Sequence, residues 1–380
     1  MRLLLPLLIL FLAPPALAEA PAYKTSAPIA YVVDAHSGVV LLDKAGDKRI
    51  PTASMAKMMT AYVAFEAIKA GKIDRKQKFA MPPETWVRWN NRGSSMFLKS
   101  RQQASVEDLL HGIVTLSGND ASVVLAEGMS GSEKAFTEEM NAAADRLGMK
   151  DSRFGTANGW PDKGGTYSTA HDLGVLAKRI IEDHPELFGE FFNQRSFKWN
   201  NVTQPNRNPL LGAVEGADGM KTGHSSEAGY CLVGTAQRGP RRLIMVVAGL
   251  PTMQSRIDEA RAMMRWGFDN WQEQPLFEPG QEVGKIPVQL GTDDAVSAIS
   301  AHKVSMLAMK GGLATPRLTM RYTGPVKAPL RKGDPVGQLT VHYPDGLQQT
   351  FPLVAANDIE AAGFLERAWN GVMKLWGKAA

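Results

Sequence analysis

A serine and a lysine three positions apart, Ser54 and Lys57, have the types and spacing to do chemistry together. On a helix, side chains at this spacing lie on one face. A serine hydroxyl becomes a nucleophile when a base takes its proton, and a lysine amine is such a base if burial or a nearby cation lowers its pKa. The pattern alone is weak, because about one chance match is expected in a chain of this composition. A second match, Ser300 and Lys303, lies in a β-rich stretch and is interpreted as accidental.

Two further motifs supply groups that this chemistry needs. Ser117-Gly118-Asn119 is the only Ser-x-Asn sequence in the chain. It offers a hydroxyl for proton transfer and an amide for a substrate peptide. Lys221-Thr222-Gly223 is the only Lys-Thr-Gly or Lys-Ser-Gly sequence, and it offers a cation and a hydroxyl to a carboxylate. The three motifs in this order indicate one site for acyl transfer.

The elements that must position these motifs follow from the hydrophobic pattern and its breaks. Residues 52–70 predict a helix, which places Ser54 in a first turn with free backbone N–H groups. Strand patterns stand at both ends of a largely helical middle, so the sequence predicts an α+β domain, residues 25–275, with an antiparallel sheet and covering helices. The other predicted helices cover 105–116, 120–128, 133–147, 170–182 and 253–266, and the predicted strands cover 29–34, 39–43, 229–237 and 242–250.

The two ends of the chain and the region after the first domain have patterns of their own. Residues 1–18 combine Arg2, an apolar run and a small-residue Ala-Leu-Ala site, which is typical of a signal peptide. Residues 276–356 predict a small all-β, sandwich-like domain. Residues 357–380 predict an amphipathic helix with two tryptophans on its apolar face and lysines on its polar arc, which favours attachment to a membrane surface.

Composition excludes several classes of function. The 380 residues include one cysteine, Cys231, so an intramolecular disulfide and a cysteine-built metal site are excluded. The seven histidines form no His-Glu-x-x-His pattern, so the sequence predicts no metal and no cofactor. The formal net charge of +5 is small and dispersed, and therefore predicts no nucleic-acid binding.

The motifs and their surroundings resemble a known family. PTASMAKMMTAYV, LLHGIVTLSGNDASVVLAE, YSTAHDL and GADGMKTGHSSEAGYCLVGTA are similar to serine-type D-alanyl-D-alanine carboxypeptidases, the low-molecular-mass penicillin-binding proteins of peptidase family S11. The resemblance covers about residues 27–272 strongly and the remainder loosely. It implies a β-lactamase/transpeptidase-like catalytic domain, peptidoglycan stem peptides as substrates, β-lactams as inhibitors, and a role in peptidoglycan remodelling and cell shape. With the signal peptide and tail, it implies a periplasmic protein attached to the outer face of the inner membrane.

Each site residue takes its role from this resemblance. Ser54 is the acylated nucleophile, and Lys57 is its base. Ser117 relays a proton to the departing D-alanine, and Asn119 holds the substrate peptide. The remaining residues, which bind the terminal carboxylate or form the oxyanion hole, are Lys221, Thr222, Gly223, His224 through its backbone N–H, and Arg256. Lys221 is also expected to lower the pKa of Lys57 by like-charge repulsion.

Three other functions share part of this pattern. A class A β-lactamase would need a Glu-x-x-Leu-Asn segment between the second and third motifs, and the sequence has none. A DD-endopeptidase of the same superfamily would carry the same motifs, so the motifs leave it open. A scaffold that binds penicillin without turnover is the alternative from another class, and the complete motifs argue against it.

Overall fold

The computed structural model describes residues 23–311, 316–343 and 346–363. The contacts divide the described chain into one unit of Tyr23–Asp269 and a second unit that begins at Asn270. The predicted signal peptide and the part of the predicted tail helix from residue 364 onward lie outside the described residues.

The first unit combines strands and helices throughout its length. Its strands are β1 (Ile29–Asp34), β2 (Val40–Lys44), β3 (Ile50–Pro51), β4 (Lys78–Ala80), β5 (Gln103–Ser105), β6 (Tyr167–Ser168), β7 (Ser196–Trp199), β8 (Val202–Pro205), β9 (Ala217–Ser225), β10 (Gly229–Arg238) and β11 (Arg241–Leu250). Its helices are α1 (Lys57–Lys69), α2 (Pro83–Trp89), α3 (Val106–Val114), α4 (Asn119–Ser130), α5 (Glu133–Leu147), α6 (Ala170–Asp183), α7 (Pro185–Phe192) and α8 (Met253–Asp269).

The main sheet joins both ends of this unit. Its strand order is β2-β1-β11-β10-β9, and every neighbouring pair is antiparallel. β1 pairs with β11 in a register that sets Ile29 opposite Ala248. Six consecutive residues are buried in each of β10 and β11, as expected for strands covered on both faces. The predicted α+β fold with an antiparallel sheet is confirmed.

The helix that carries the first motif is a core helix. All residues of α1 from Lys57 to Phe65 are buried, because α3, α4, α5 and α6 all pack against it. The prediction of one regular helix over 52–70 was wrong at its start. Residues Ala53–Ala56 form a 3₁₀ turn, and α1 begins at Lys57. Ser54 therefore lies in a tight turn that precedes the α-helix.

Other predicted elements lie close to the observed ones. The helix predicted over 133–147 is α5 with the same bounds. The capping pattern at Ser105 is also observed. The Ser105 hydroxyl accepts a hydrogen bond from the backbone N–H of Asp108, whose carboxylate accepts one from the backbone N–H of Ser105. This exchange begins α3, the helix that leads into the second motif.

The second unit is built of strands, which confirms the all-β prediction. They are β12 (Trp271–Phe277), β13 (Glu282–Gln289), β14 (Ala295–Ile299), β15 (Val304–Met309), β16 (Arg317–Arg321), β17 (Val326–Lys327), β18 (Pro335–His342) and β19 (Gln348–Ala355). A six-stranded sheet has the order β16-β18-β19-β14-β13-β17, and β12 pairs with β15 in a two-stranded sheet. The sequence analysis missed β12, in which polar residues interrupt the apolar pattern.

The start of the predicted tail helix was also wrong. Residues 357–363 are not helical. Isolated bridges pair Ile359 with Leu330 and Ala361 with Gly291, and the side chains of Ile359 and Ala362 are buried. Pairing with the β-unit therefore holds this segment extended, despite its amphipathic pattern. Among the described residues, no helix combines the length and apolar character needed to cross a membrane.

Candidate active site

Ser54 and Lys57 form the centre of the candidate site. The Lys57 side chain is completely buried. Its Nζ lies 3.0 Å from Ser54 Oγ, 2.8 Å from Asn119 Oδ1 and 2.7 Å from the Asn158 carbonyl oxygen. Of these three partners, only the serine hydroxyl also carries a hydrogen to donate. A neutral amine would therefore keep two N–H bonds to Asn119 and Asn158 and turn its lone pair toward Ser54, which is the geometry of a base.

The surroundings of Lys57 favour that neutral amine. Burial, followed by the positive charge of Arg207, lowers the pKa of Lys57 to about 7, and the Asp120 carboxylate opposes this shift. Repulsion between the two lysines contributes to the lowered pKa of Lys221. A lowering of the pKa of Lys57 by Lys221 stays a prediction, since burial and Arg207 are the lowering causes observed at Lys57.

The second motif lies where α3 ends and α4 begins. Ser117 has a φ of 63°, in the left-handed region that non-glycine residues seldom adopt. Asn119 begins α4, and its side chain accepts from Lys57 and donates from Nδ2 to the Arg92 carbonyl at 3.2 Å. The buried Asp120 carboxylate accepts hydrogen bonds from the backbone N–H groups of Met96 and Leu98. The junction thus fixes the loop beside the site.

The third motif lies on β9, the strand that ends the main sheet. The Lys221 side chain is buried, and its Nζ lies 3.0 Å from Ser117 Oγ and 3.0 Å from the Thr222 carbonyl oxygen. Burial is the main cause that lowers the pKa of Lys221 well below its ordinary value, and the charges of Lys57, Arg207 and Arg256 add to it. The amine is therefore aimed at the hydroxyl of the second motif.

Two glycines allow these segments to meet. A Cβ at Gly223 would lie 3.0 Å from the Thr52 carbonyl oxygen, so a larger residue would push β9 away from the 3₁₀ turn. At Gly159, φ is +72° and a Cβ would lie 1.8 Å from the Ala53 carbonyl oxygen. Only glycine fits where residues 158–160 pass the nucleophile turn.

The motifs open onto one cleft with a volume of about 800 Å³. The predicted residues in its lining are Ser54, Ser117, Asn119, Thr222, Gly223, His224 and Arg256. Lys57 and Lys221 lie buried behind this surface. The His224 ring stacks on Tyr230, with ring centroids 3.9 Å apart, and the guanidinium carbon of Arg256 lies 5.5 Å from the same ring centroid. No carboxylate side chain belongs to the described lining, so the cleft suits an anionic ligand.

Comparison with known proteins agrees with this geometry. The family profile described as D-alanyl-D-alanine carboxypeptidase matches residues 16–252, well over half of the chain. The chain belongs to this family. A second profile, the C-terminal domain of penicillin-binding protein 5, matches residues 271–361.

The alignments with relatives cover most of this chain. It is 36% identical to D-alanyl-D-alanine carboxypeptidase DacC of Escherichia coli (strain K12) over 360 residues, which are 93% of this chain and 89% of the relative. Penicillin-binding protein 5 of Haemophilus influenzae is 34% identical, with a TM-score of 0.74, covering 90% of this chain and 100% of that structure. Penicillin-binding protein D2 of Listeria monocytogenes in its ampicillin-bound form is 32% identical, with a TM-score of 0.59, covering 66% of this chain and 100% of that structure.

Several residues of the cleft were missed by sequence reasoning. They are Asn158, Trp160, Arg207 and Tyr230, and all four line the cleft. The only local signal was the Asn158-Gly159 pair, which is typical of a turn. Arg207 lies in the loop between β8 and β9 and belongs to none of the three motifs, so no spacing rule could identify it.

Two other places in the first unit have features of ligand sites. Glu107, His111 and Glu190 bring possible metal-ligating atoms within 4.8 Å of one another. Arg75 forms ion pairs with both carboxylates, so its positive charge already neutralises Glu107 and Glu190. A surface cavity of about 680 Å³ near Glu127 contains none of the predicted site residues.

Proposed function

We propose that this chain removes the C-terminal D-alanine from peptidoglycan stem peptides that end in D-alanyl-D-alanine, through an acyl-enzyme on Ser54. The observation that carries the proposal is the buried Lys57 amine, which lies 3.0 Å from the Ser54 hydroxyl. The family relationship and the cations around the cleft support it as well, because the substrate carries a terminal carboxylate.

Acylation begins with proton transfer from Ser54 Oγ to the neutral Lys57 amine. The serine oxygen attacks the carbonyl carbon of the penultimate D-alanine, and a carbon–oxygen bond forms. The backbone N–H groups of Ser54 and His224 stabilise the negative oxygen that develops. The carbon–nitrogen bond then breaks, and D-alanine leaves.

The leaving amine needs a proton, and the second and third motifs provide its route. Ser117 donates its hydroxyl proton to the nitrogen as the bond breaks, and Lys221 replaces that proton across the 3.0 Å contact between its Nζ and Ser117 Oγ. A bound substrate carboxylate raises the pKa of Lys221, because a nearby opposite charge favours the ammonium. Substrate binding thus favours the protonated form of Lys221, which is the proton donor. Hydrolysis of the Ser54 ester by water completes the turnover.

Substrate binding uses both walls of the cleft. The Asn119 side chain, fixed by contacts with Lys57 and the Arg92 carbonyl, meets the substrate's peptide group. Thr222 and Arg256 on the other wall bind the terminal carboxylate. A β-lactam presents a carboxylate and a reactive amide in similar positions, so it acylates Ser54 and inhibits. The ampicillin-bound and cefotaxime-bound relatives from Listeria monocytogenes support this part of the proposal.

The proposed location is the periplasm, on the outer face of the inner membrane. Support comes from the predicted signal peptide at 1–18 and from Trp369, Trp376 and the lysines of the tail. Since Ile359 and Ala362 are buried, the truncation should keep residues 357–363, and with them every described residue of the β-unit. Removal of residues 364–380 should move the protein from the membrane fraction to the soluble fraction. A truncated protein that stayed with the membranes would contradict the tail's role.

The activity is tested by mass spectrometry of muropeptides before and after incubation with the mature protein. Conversion of pentapeptides to tetrapeptides with release of free D-alanine supports the carboxypeptidase, and Ser54→Ala should abolish it. Conversion of crosslinked dimers to monomers would indicate the endopeptidase instead. Penicillin labelling without either conversion would indicate a scaffold.

A further inference from the structure

Arg92 is held in place by two tryptophans beside the cleft. Its guanidinium carbon lies 4.9 Å from the ring centroid of Trp160 and 5.6 Å from that of Trp89. The two indole rings meet edge to face with centroids 5.4 Å apart. Cation–π contacts of this kind restrain an exposed arginine, so the Arg92 guanidinium loses less freedom when it binds a ligand.

Arg92 has no acidic partner among the residues that the structure describes. Arg88, one helical turn earlier in the sequence, offers a contrast, because it forms ion pairs with Glu127 at 3.0 Å and Glu133 at 3.5 Å. The contacts of the Arg92 guanidinium with described residues are those with the two indole rings. Its N–H groups are therefore available for an external acceptor, and a planar fork of donors suits a carboxylate.

The position of Arg92 indicates which part of a substrate it would meet. Its own carbonyl accepts from Asn119 Nδ2, and the adjacent Gly93 and Ser94 line the cleft together with Trp160. Arg92 thus lies on the Asn119 wall. Thr222 and Arg256, which bind the terminal carboxylate in the proposed function, belong to β9 and α8. In the proposed function Asn119 meets the substrate's peptide group, which places the part of the peptide upstream of the scissile bond beside the Asn119 wall.

We propose that Arg92 and Trp160 form a second carboxylate subsite, which selects substrates with an acidic side chain directly upstream of D-alanyl-D-alanine. This proposal rests on the proposed function and names the substrate class for the same cleft. The absence of carboxylates from the described lining means that a second negative charge on the substrate meets no repulsion there.

The test compares two peptides that differ only in that charge. The pair is acetyl-L-Glu-D-Ala-D-Ala and acetyl-L-Gln-D-Ala-D-Ala, and D-alanine release gives kcat and KM for wild type and Arg92→Gln. For Arg92→Gln we expect a loss of about fivefold to tenfold in kcat/KM on the glutamate peptide, mainly through a higher KM, because a charge-assisted hydrogen bond is lost. On the glutamine peptide the change should stay within about twofold.

Arg146→Gln is the matched control, because it removes the same charge from an exposed position on α5. It should leave the preference between the two peptides unchanged. Benzylpenicillin acylation of Arg92→Gln, which checks that the site is intact, should stay within about twofold of wild type. An equal loss on both peptides, impaired acylation, or no loss at all would each overturn the subsite. Wild type that cleaves both peptides without preference contradicts the subsite alone, whereas wild type that cleaves neither contradicts the proposed function.

Discussion

The same four-residue pattern, Ser-x-x-Lys, occurs in both units of the molecule with different surroundings. At Ser54 the lysine is fully buried, contacts the serine hydroxyl and makes two more hydrogen bonds. At Ser300 the serine is buried but its lysine, Lys303, is 45% exposed, and the nearest acidic partner of that lysine, Glu273, is 3.9 Å away. No helix brings the second pair onto one face.

The difference shows that a Ser-x-x-Lys spacing forms a nucleophile and its base only when the surrounding residues bring the two side chains together. A helix start provides the shared face, burial lowers the pKa of the amine, and carbonyl oxygens from two other segments orient it. The second pair has no helix start, and its lysine is partly exposed. The same substitution made at each pair should therefore have very different effects on acylation.

The largest expected difference concerns the nucleophile. Ser54→Ala should abolish D-alanine release and covalent labelling by a fluorescent penicillin, a loss of more than about 10⁴-fold, because it removes the hydroxyl that the Lys57 amine contacts. Ser300→Ala, the matched control, should label at the wild-type rate. Labelling that survived in Ser54→Ala and vanished in Ser300→Ala would reverse the roles of the two pairs.

The base should show the next largest difference. Lys57→Met removes the amine but fills most of its volume, and acylation should slow by about 10³-fold, as is usual when a general base is lost. Lys303→Met should acylate within about twofold of wild type. The measurement is stopped-flow acylation by a chromogenic β-lactam, with circular dichroism to verify folding. Near-normal acylation in folded Lys57→Met would show that Lys57 is not the base for Ser54.

The packing around the nucleophile turn should have an intermediate effect. Gly159→Ala places a Cβ against the Ala53 carbonyl oxygen. It should lower the free energy of unfolding by about 2–4 kcal/mol and slow acylation by about tenfold or more. Gly164→Ala is matched, since Gly164 also has a positive φ but faces open space; it should cost only about 1 kcal/mol. Equal urea midpoints and acylation rates for the two variants would show that the close approach at Gly159 is unimportant.

The smallest expected effect is a shift of the pH profile. Acylation should rise as Lys57 loses its proton around pH 7, and it should fall by about tenfold per pH unit well below that value. Arg207→Gln removes a positive charge that disfavours the ammonium, so it raises the pKa of Lys57 and moves the profile to higher pH, with acylation at pH 7 slower by about twofold to threefold. Lys303→Gln loses the same charge and should leave the profile in place. A profile of Arg207→Gln that moved to lower pH would contradict the assigned cause.

Sequence reasoning succeeded where local pattern decides the structure. The helix at Glu133–Leu147, the cap at Ser105 and the three motifs depend on residues close in sequence, and all were predicted. The convergence of the motifs on one site was also predicted, from their residue types and their order in the chain. The roles assigned to individual residues remain predictions, which the substitutions above are designed to test.

The remainder depends on contacts between distant segments. Arg207, and the stacking of Arg92 on Trp160, follow from how loops cross the cleft, which no periodicity encodes. The tail segment at Ile359 is extended because it pairs with Leu330, so tertiary pairing overrides its amphipathic pattern. The contribution of Arg207 to the lowered pKa of Lys57 was missed for the same reason, since Arg207 lies in a loop outside the three motifs.

The most direct measurement is acid trapping of the enzyme during turnover of a D-alanyl-D-alanine peptide, followed by tryptic mass mapping. Cleavage after Arg49 and Lys57 yields a peptide of residues 50–57 in which Ser54 is the only serine. The proposed mechanism predicts that this peptide carries the substrate acyl group without its terminal D-alanine, and that free D-alanine appears in at least equal amount. An acyl group on a peptide containing Ser300, or D-alanine release with residues 50–57 never modified, would contradict it.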